Sequence, residues 1–378
     1  MRAVVLVAVV KLALRLELGP EYDSNANRAE VVEGADTGDP PVGSALLRTT
    51  ARLGLSWRSG RSLLKVSAGL GAKVFFNPAV LDQSVLVVQG GLEERVRLSR
   101  SAELTLAGDY YDAFQDLIAP TCDNCLRRRD FRTGTVGGRL TAYDGVGAFF
   151  VGAGYRGFQF KPDGYFDFHA PTADAGASVA LQLGPTDRPA DLTLGAAYHV
   201  ERRAYGGLAQ DRSRAPECAP DLPLADGCLA TGVDDRVDWF HEASAEIAYL
   251  GALLASLQYA LQIDRSNSYG QSLLRHVVTL KIGYRLPWEL YATVKGQLMI
   301  SAGLDRVQLD TRISNLTFAT IEDENRNAVI VDLERAIPKI GLAVDARYSF
   351  FANELGAQHT SFRRHVGYLG LTYRFGAR

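Results

Sequence analysis

Apolar and polar residues alternate along most of this chain with a period of two. Near the start, polar or small residues separate Leu12, Leu14, Leu16 and Leu18. The same alternation recurs over residues 47–57, 64–74, 278–286 and 340–350. Because successive side chains of a strand point to opposite faces, this period predicts β-strands, and helical spacing is nowhere sustained.

The predicted strands are unusually long. The pattern gives about sixteen strands of roughly 10 to 16 residues, whereas a typical globular strand has roughly 5 to 6. A strand that crosses a bilayer at about 45° needs roughly 9 to 11 residues in the apolar zone. The strand length therefore favours a membrane-spanning sheet.

The connections between strands alternate in size. Tight turns are predicted near Ser59, Ser99, Asp144, Leu250, Pro287 and Pro338. Longer polar segments cover residues 24–43, 77–83, 117–130, 161–172, 205–233, 265–272, 303–325 and 353–361. Short periplasmic turns and long extracellular loops are typical of outer-membrane barrels, and both termini would then be periplasmic.

Two soluble folds also use many strands, the β-propeller and the paired β-sandwich. A propeller would show an internal repeat of roughly 40 to 50 residues, which this sequence lacks. A soluble sheet is not excluded by alternation alone. A closed barrel, however, leaves no backbone groups unpaired in hydrocarbon. We therefore predict an all-β fold, a closed antiparallel transmembrane β-barrel whose apolar phase faces lipid.

Composition excludes several classes of protein. The 378 residues include 41 Lys and Arg against 43 Asp and Glu, a net charge of -2, so nothing supports a nucleic-acid partner. Hydrophobic residues make up 47% of the chain, too many for a disordered protein. The longest apolar run, residues 3–10, is far shorter than the roughly 20 residues of a spanning helix.

The first ten residues allow two interpretations. Met1 and Arg2 precede the apolar run as in a secretory signal, but Lys11 follows without a cleavage motif. Residues 1–10 are therefore either a truncated signal segment or include a buried strand. In both cases we expect residues 11–378 to form a single barrel domain.

The end of the chain carries a family resemblance. Residues 368–375 read Tyr-Leu-Gly-Leu-Thr-Tyr-Arg-Phe. This segment resembles the terminal strand by which the barrel-assembly machinery of Gram-negative bacteria recognises outer-membrane proteins, with Gly370, Tyr373 and Phe375 as the signal residues. Residues 19–28, 345–351 and 362–365 resemble porin barrels and the barrel domains of surface-lipoprotein assembly modifiers. The resemblance implies outer-membrane lipid and the assembly machinery as partners, and leaves a periplasmic export or envelope-spanning complex open as another.

The cysteines form two close pairs in sequence. A zinc or redox site is one interpretation of such spacing. Both pairs, however, fall in long loops that would face an oxidising compartment, where local bridges form readily. We therefore predict two loop disulfides and no metal, the pairs being Cys122 with Cys125 and Cys218 with Cys228.

No catalytic constellation emerges from the sequence. His199 and Glu201 share the inward face of one predicted strand, and Asp238 and Glu242 face inward from the next. No nucleophile is identifiable within reach of them. The six histidines show no metal-ligand spacing, and no glycine-rich phosphate loop is present. We expect a protein that is not an enzyme and uses no cofactor.

Aromatic residues are placed as in interfacial belts. Trp57 and Trp288 lie near short turns, and Trp239 lies near a long loop. Rings with one wet and one apolar side favour membrane interfaces, although β propensity also enriches aromatics in any strand. The tyrosines on the outward phase are Tyr198, Tyr249, Tyr259, Tyr284, Tyr348 and Tyr373.

The inward phase carries charges of both signs. A basic wall is predicted from Arg48, Arg52, Lys65 and Lys73. An acidic wall across the lumen is predicted from Glu242, Glu246 and Asp264. Opposed walls would create a transverse field that orients dipolar solutes, whereas pairing of each charge with a neighbour would cancel that field.

A barrel of about sixteen strands leaves room for an aqueous channel. The leading functional hypothesis is therefore passage of a polar solute or polymer, as a porin or as the barrel of an export system. The alternative is a structural, adhesion or motility-related surface barrel that is closed by its own loops or by a partner. Fold alone does not decide between them.

Overall fold

The chain forms a closed barrel of sixteen antiparallel strands. The computed structural model describes residues 9–29, 31–32, 40–115, 131–161, 167–184, 190–206, 210–214, 229–304, 327–353 and 360–376. The barrel strands are β1 (Val9–Asp23), β2 (Ser44–Ser59), β3 (Ser62–Phe75), β4 (Val85–Arg97), β5 (Ala102–Phe114), β6 (Phe131–Asp144), β7 (Gly147–Phe160), β8 (Phe168–Leu183), β9 (Ala190–Tyr205), β10 (Val237–Leu250), β11 (Leu253–Ser266), β12 (Leu273–Leu286), β13 (Leu290–Gly303), β14 (Asn327–Ile337), β15 (Leu342–Ala352) and β16 (Arg363–Phe375).

Every barrel strand pairs with its two neighbours in chain order, and β1 closes the ring against β16. Leu14 lies opposite Leu53 of β2 on one side and Phe375 of β16 on the other. The strands are 11 to 16 residues long. The predicted fold class, a closed antiparallel barrel of about sixteen strands, is therefore confirmed. Strand β1 begins at Val9, so the barrel includes two residues of the segment 1–10.

The short and long connections lie on opposite rims. All six predicted tight turns are present, and a seventh connection at this rim, unrecognised in the sequence, joins β8 to β9 through residues 184–189. In the β6–β7 turn, Gly145 has φ +58°, a left-handed conformation that glycine adopts without steric cost. Because the number of strands is even, the start of β1 and the end of β16 both lie on this turn-side rim.

The loop-side rim carries further structure. Residues Val31–Val32 pair with Thr360–Ser361, and Gln210–Arg214 pair with Leu229–Asp235. A short 3₁₀ helix, Pro78–Gln83, connects β3 to β4.

Asn77 caps this helix, since its side chain accepts a hydrogen bond of 3.1 Å from the Ala79 backbone nitrogen. Val80 is fully buried and packs with Ala26, Leu46 and Phe75. Loop residues therefore cover part of the inner wall at this rim.

The outer surface of the barrel is apolar. Leu53, Val136 and Leu257 are 46%, 62% and 45% exposed, and they represent the outward phase of their strands. The three tryptophans and the six predicted belt tyrosines are also exposed on the exterior. A soluble protein would bury such a continuous apolar surface, so this exterior fits lipid. Within the described residues, no helix has the length and apolarity required to cross a membrane.

Candidate functional site: the lumen of the barrel

The inner wall carries the polar phase of the strands. On β2, Arg48 is 5% exposed and Thr50 is 6% exposed, whereas the outward Leu53 is 46% exposed. Strand alternation places Arg52 on the same inner face as Arg48. By the same alternation, all seven charged residues of the two predicted walls lie on the inward phase.

Burial along the lumen changes from one rim to the other. Glu21, Arg203 and Asp264, near the loop-side ends of their strands, are 2% to 3% exposed. The side chains of Lys65 and Arg139, nearer the turns, are 47% and 49% exposed. The lumen is therefore packed toward the loops and solvated toward the turns.

A buried cluster of charges lies beside the closing strand pair, and we call Glu17, Glu21, Arg48 and Lys73 the seam cluster. Lys73 Nζ lies 2.7 Å from Glu21 Oε1. Arg48 lies 3.4 Å from both Glu17 and Glu21. The Arg48 guanidinium also stands over the Tyr368 ring, 5.3 Å from its centroid. Two buried cations thus face two buried carboxylates.

A second cluster of charged groups, the Arg203 cluster, consists of the buried Glu201, Arg203 and Asp264 with the half-buried Arg156 and His199. Arg203 donates to Glu201 at 2.9 Å and to Asp264 at 3.2 Å. Glu201 also lies 3.1 Å from His199 and 3.4 Å from Arg156. The predicted inward placement of His199 and Glu201 is confirmed, and Glu201 is a buried, ion-paired group.

The other two residues considered for catalysis have separate partners. Glu242 accepts a hydrogen bond of 2.8 Å from Gln262. Asp238 accepts two hydrogen bonds, of 3.0 and 2.5 Å, from Arg236, which lies just before β10. Burial would lower the pKa of Arg236, but Tyr205 and Asp238 outweigh that effect and raise it. In the strand register, Glu242 lies directly opposite His199 and Asp238 lies directly opposite Arg203, so both carboxylates border the Arg203 cluster.

A row of aromatic rings crosses five adjacent strands on the inner wall, a feature the sequence analysis missed. The rings of Tyr111, Phe131, Phe158, Phe168 and Tyr205 follow one another with centroid distances of 5.3 to 5.5 Å. In the sequence, these residues could have been recognised as aromatic residues on the inward phase at strand ends next to the long loops 117–130, 161–172 and 205–233. These rings are part of a buried apolar cluster that braces the loop-side wall.

A cavity of about 500 Å³ lies against the inner wall of β4–β9. Ion pairs form much of its lining. Arg139 contacts Asp174 at 2.7 Å, and Glu93 contacts Arg95 at 2.8 Å. The cavity also reaches Glu201, so it extends from the solvated part of the lumen to the edge of the Arg203 cluster. We call this cavity the vestibule.

One glycine makes the central ion pair of the vestibule possible. Gly152 of β7 lies directly between Arg139 of β6 and Asp174 of β8 in the strand register. A Cβ atom at Gly152 would approach Asp174 Oδ1 to 2.4 Å. The missing side chain lets the arginine reach across a strand to the aspartate.

The predicted basic wall is largely compensated by carboxylates. Arg48 and Lys73 belong to the seam cluster, and Lys65 pairs with Glu93 at 2.9 Å. Arg52 is exposed in the lumen. The compensating carboxylates lie on the inward phase of neighbouring strands. This shared phase could have indicated from the sequence that the basic wall is paired.

The predicted acidic wall is only partly exposed. Asp264 is buried against Arg203, whereas Glu242 is half-buried and Glu246 is exposed. A transverse field between the two walls stays a prediction.

The predicted assembly signal occupies the last strand. Tyr373 and Phe375 are exposed on the lipid-facing surface. Gly370 points inward, and a Cβ atom there would lie 1.9 Å from the Tyr368 hydroxyl oxygen. Gly370 therefore makes room for the ring of Tyr368, while its role in recognition by the assembly machinery stays a prediction.

The predictions about metal and disulfide chemistry both remain untested. All four cysteines lie outside the described residues, so the loop disulfides remain predictions. Within the ranges described, no group of three or more His, Cys, Asp or Glu side chains is placed to hold a metal ion.

Comparison with known proteins gives similarity at the level of structure. No family model matches the chain, and no curated protein matches it. An outer-membrane OmpT of Vibrio cholerae is similar over 97% of this chain and 98% of its own, with 10% identity and a TM-score of 0.45. OccAB3 of Acinetobacter baumannii is similar over 97% and 99%, with 11% identity and a TM-score of 0.44.

The closed barrel, its apolar exterior and its polar lumen together define an outer-membrane β-barrel of a Gram-negative bacterium. The predicted localisation is therefore confirmed.

Proposed function

We propose that this protein is an outer-membrane channel for small polar solutes, and that the vestibule is where a solute contacts the wall. The observation that carries the proposal is a cavity of about 500 Å³ with a charged lining inside a closed sixteen-stranded barrel. A barrel of this strand number has space for water after its inward side chains are placed. Pockets of roughly 300 to 1,000 Å³ suit small organic molecules.

The lining favours solutes that carry both signs of charge. Arg139 beside Asp174, and Arg95 beside Glu93, present a cation and an anion within one contact distance of each other. Groups fixed on a rigid sheet can orient a dipolar solute without reorganising. The vestibule therefore suits zwitterionic or otherwise dipolar small molecules better than simple ions.

Planar-bilayer recording tests this proposal. The purified protein should conduct, and Arg139→Gln should shift the reversal potential toward cation selectivity because it removes a cation from the wall. Asp174→Asn should shift it in the opposite direction. Arg335→Gln is the matched control, since Arg335 lies on the outward phase of β14 and its loss should leave selectivity unchanged. Equal shifts in all three variants, or shifts of the same sign, would contradict a conducting path through the vestibule.

A second function has a specific observation in its favour. The loop-side inner wall is buried under the aromatic row and the two charged clusters. Such packing suits a structural or adhesion barrel that presents its loops and does not conduct. Absence of conductance from the wild-type protein, reconstituted with verified folding, would favour this second function over the channel.

A further inference from the structure

Three residues on the outer surface lie side by side on neighbouring strands near the loop-side rim. Arg202 of β9 is directly opposite Trp239 of β10, which is directly opposite Arg265 of β11. Both arginines are exposed, and Trp239 is 46% exposed. Because neighbouring strands are about 4.8 Å apart, the two arginine positions are separated by about 10 Å.

The two outward arginines differ from the inward arginines at the same rim. Arg203 and Arg236 point inward, and each forms an ion pair with a carboxylate. Among the residues that the structure describes, neither Arg202 nor Arg265 has an ion pair or a side-chain hydrogen bond. Two guanidinium groups are therefore presented to the membrane interface, where phosphate is the usual anion.

A histidine lies one step closer to the bilayer centre, and its ring is held in place. The His241 ring stacks on Trp239 with a centroid distance of 6.3 Å and an interplanar angle of 15°. Its Nδ1 atom lies 2.6 Å from the Tyr198 hydroxyl oxygen, which leaves Nε2 as the other polar atom of the ring. We call Arg202, Trp239, His241 and Arg265 the Arg202 patch.

Similar tyrosine–histidine pairs occur elsewhere on the exterior. The Tyr259 and Tyr348 hydroxyl oxygens each lie 2.8 Å from the Nδ1 atom of His276 and His365, respectively. These pairs satisfy polar atoms near hydrocarbon, where water is scarce. The Arg202 patch adds two guanidinium groups on either side of an indole to this arrangement.

We propose that the Arg202 patch binds the headgroup of an outer-leaflet lipid that carries two phosphates, of the kind found in lipid A. Guanidinium groups recognise phosphate with paired hydrogen bonds, and their separation suits two phosphates better than one. The Trp239 ring lies between them, as expected for an indole at a membrane interface. In the predicted topology the long-loop rim faces the outer leaflet, which is where such a lipid resides.

A binding measurement on the intact purified protein tests this proposal. The protein in detergent is titrated with lipid A, and bound lipid is counted by native mass spectrometry. Each basic group at a membrane surface strengthens binding about fivefold. The double variant Arg202→Gln with Arg265→Gln should therefore bind lipid A roughly thirtyfold more weakly than the wild type. Inorganic phosphate should not compete at matched concentration, because it lacks the lipid's second phosphate and its acyl chains.

Two further variants make the result specific. Arg335→Gln removes an exposed outward arginine at the opposite rim and should leave lipid A affinity unchanged. Arg202→Lys with Arg265→Lys keeps both charges but loses the paired hydrogen bonds, so its affinity should lie between those of the wild type and the Gln variant; it keeps the proposal testable if the Gln variant folds poorly. Unchanged binding by a folded Gln variant, equal loss in Arg335→Gln, or full competition by inorganic phosphate would overturn the proposal.

Discussion

The buried ion pair between Glu21 and Lys73 is expected to stabilise the barrel only while both charges are present. The substitution Glu21→Gln keeps the side-chain volume and removes the negative charge. Within the described part of the chain, Glu21 is the acidic partner of Lys73, and the contact is 2.7 Å. The variant therefore leaves the Lys73 ammonium buried, with 5% exposure, and without a counter-charge.

The expected magnitude follows from this burial. Removing one partner of a buried ion pair costs about 3 to 5 kcal/mol. Arg48 keeps Glu17 at 3.4 Å, so only Lys73 loses its partner completely, and we expect a loss near the lower limit, about 3 kcal/mol. Replacing both partners, as Glu21→Gln with Lys73→Met, should restore at least half of that loss because no unpaired charge remains.

The chain offers a matched control. Lys65 and Glu93 form the same kind of pair at a similar distance, 2.9 Å, but their side chains are 47% and 30% exposed. Glu93→Gln leaves Lys65 and Arg95 without this carboxylate, but water in the lumen solvates both cations, so the free energy of unfolding should fall by less than about 1 kcal/mol.

Urea unfolding of the protein in phosphatidylcholine vesicles measures these differences. Trp57 and Trp239 lie on the lipid-facing exterior and Trp288 is exposed in the turn between β12 and β13, so tryptophan fluorescence should report loss of the barrel from the membrane. Equal destabilisation by Glu21→Gln and Glu93→Gln would refute the reasoning from burial. So would a double variant that is less stable than Glu21→Gln alone.

Three other predictions concern topology, disulfides and the lumen. An epitope tag inserted near Gly207 should be antibody-accessible on intact cells and one near Gly145 should not; labelling of both would contradict the barrel topology. Mass spectrometry of the purified protein should show no free thiol, because the predicted topology places the cysteines in segments that face an oxidising compartment, and four free thiols or a stoichiometric zinc would contradict the bridges. Neutralising the exposed members of the basic wall, Arg52 and Lys65, should shift the reversal potential toward cation selectivity, and an unchanged potential would contradict a field from that wall.

Much of the fold could be predicted because a period of two depends only on local backbone geometry. Leu53 faces lipid and Arg48 faces the lumen for the same reason, namely that a strand turns alternate side chains to opposite sides. The tight turn at Gly145 was also local, since it is encoded by polar and glycine residues between two apolar runs. The connection between β8 and β9 was missed although Gly184, Pro185 and Pro189 interrupt the alternation there.

The partners inside the lumen could not be predicted in the same way. Arg203 and Asp264 are separated by 61 positions, and they meet because barrel closure sets the depth of each strand relative to the others. Alternation gives the face of a residue but neither its depth nor its partner across a strand, as the contact of Arg139 with Asp174 over Gly152 illustrates.

The sequence by itself determined the strands, their number, the two faces of the wall and the two kinds of connection, because each of these depends on residues close together in the chain. Only the tertiary structure decided which inward charges are buried and paired, where the vestibule lies, and that Arg202 and Arg265 flank Trp239. These features depend on strand register and on loop packing over the inner wall, which are settled only when β1 closes against β16.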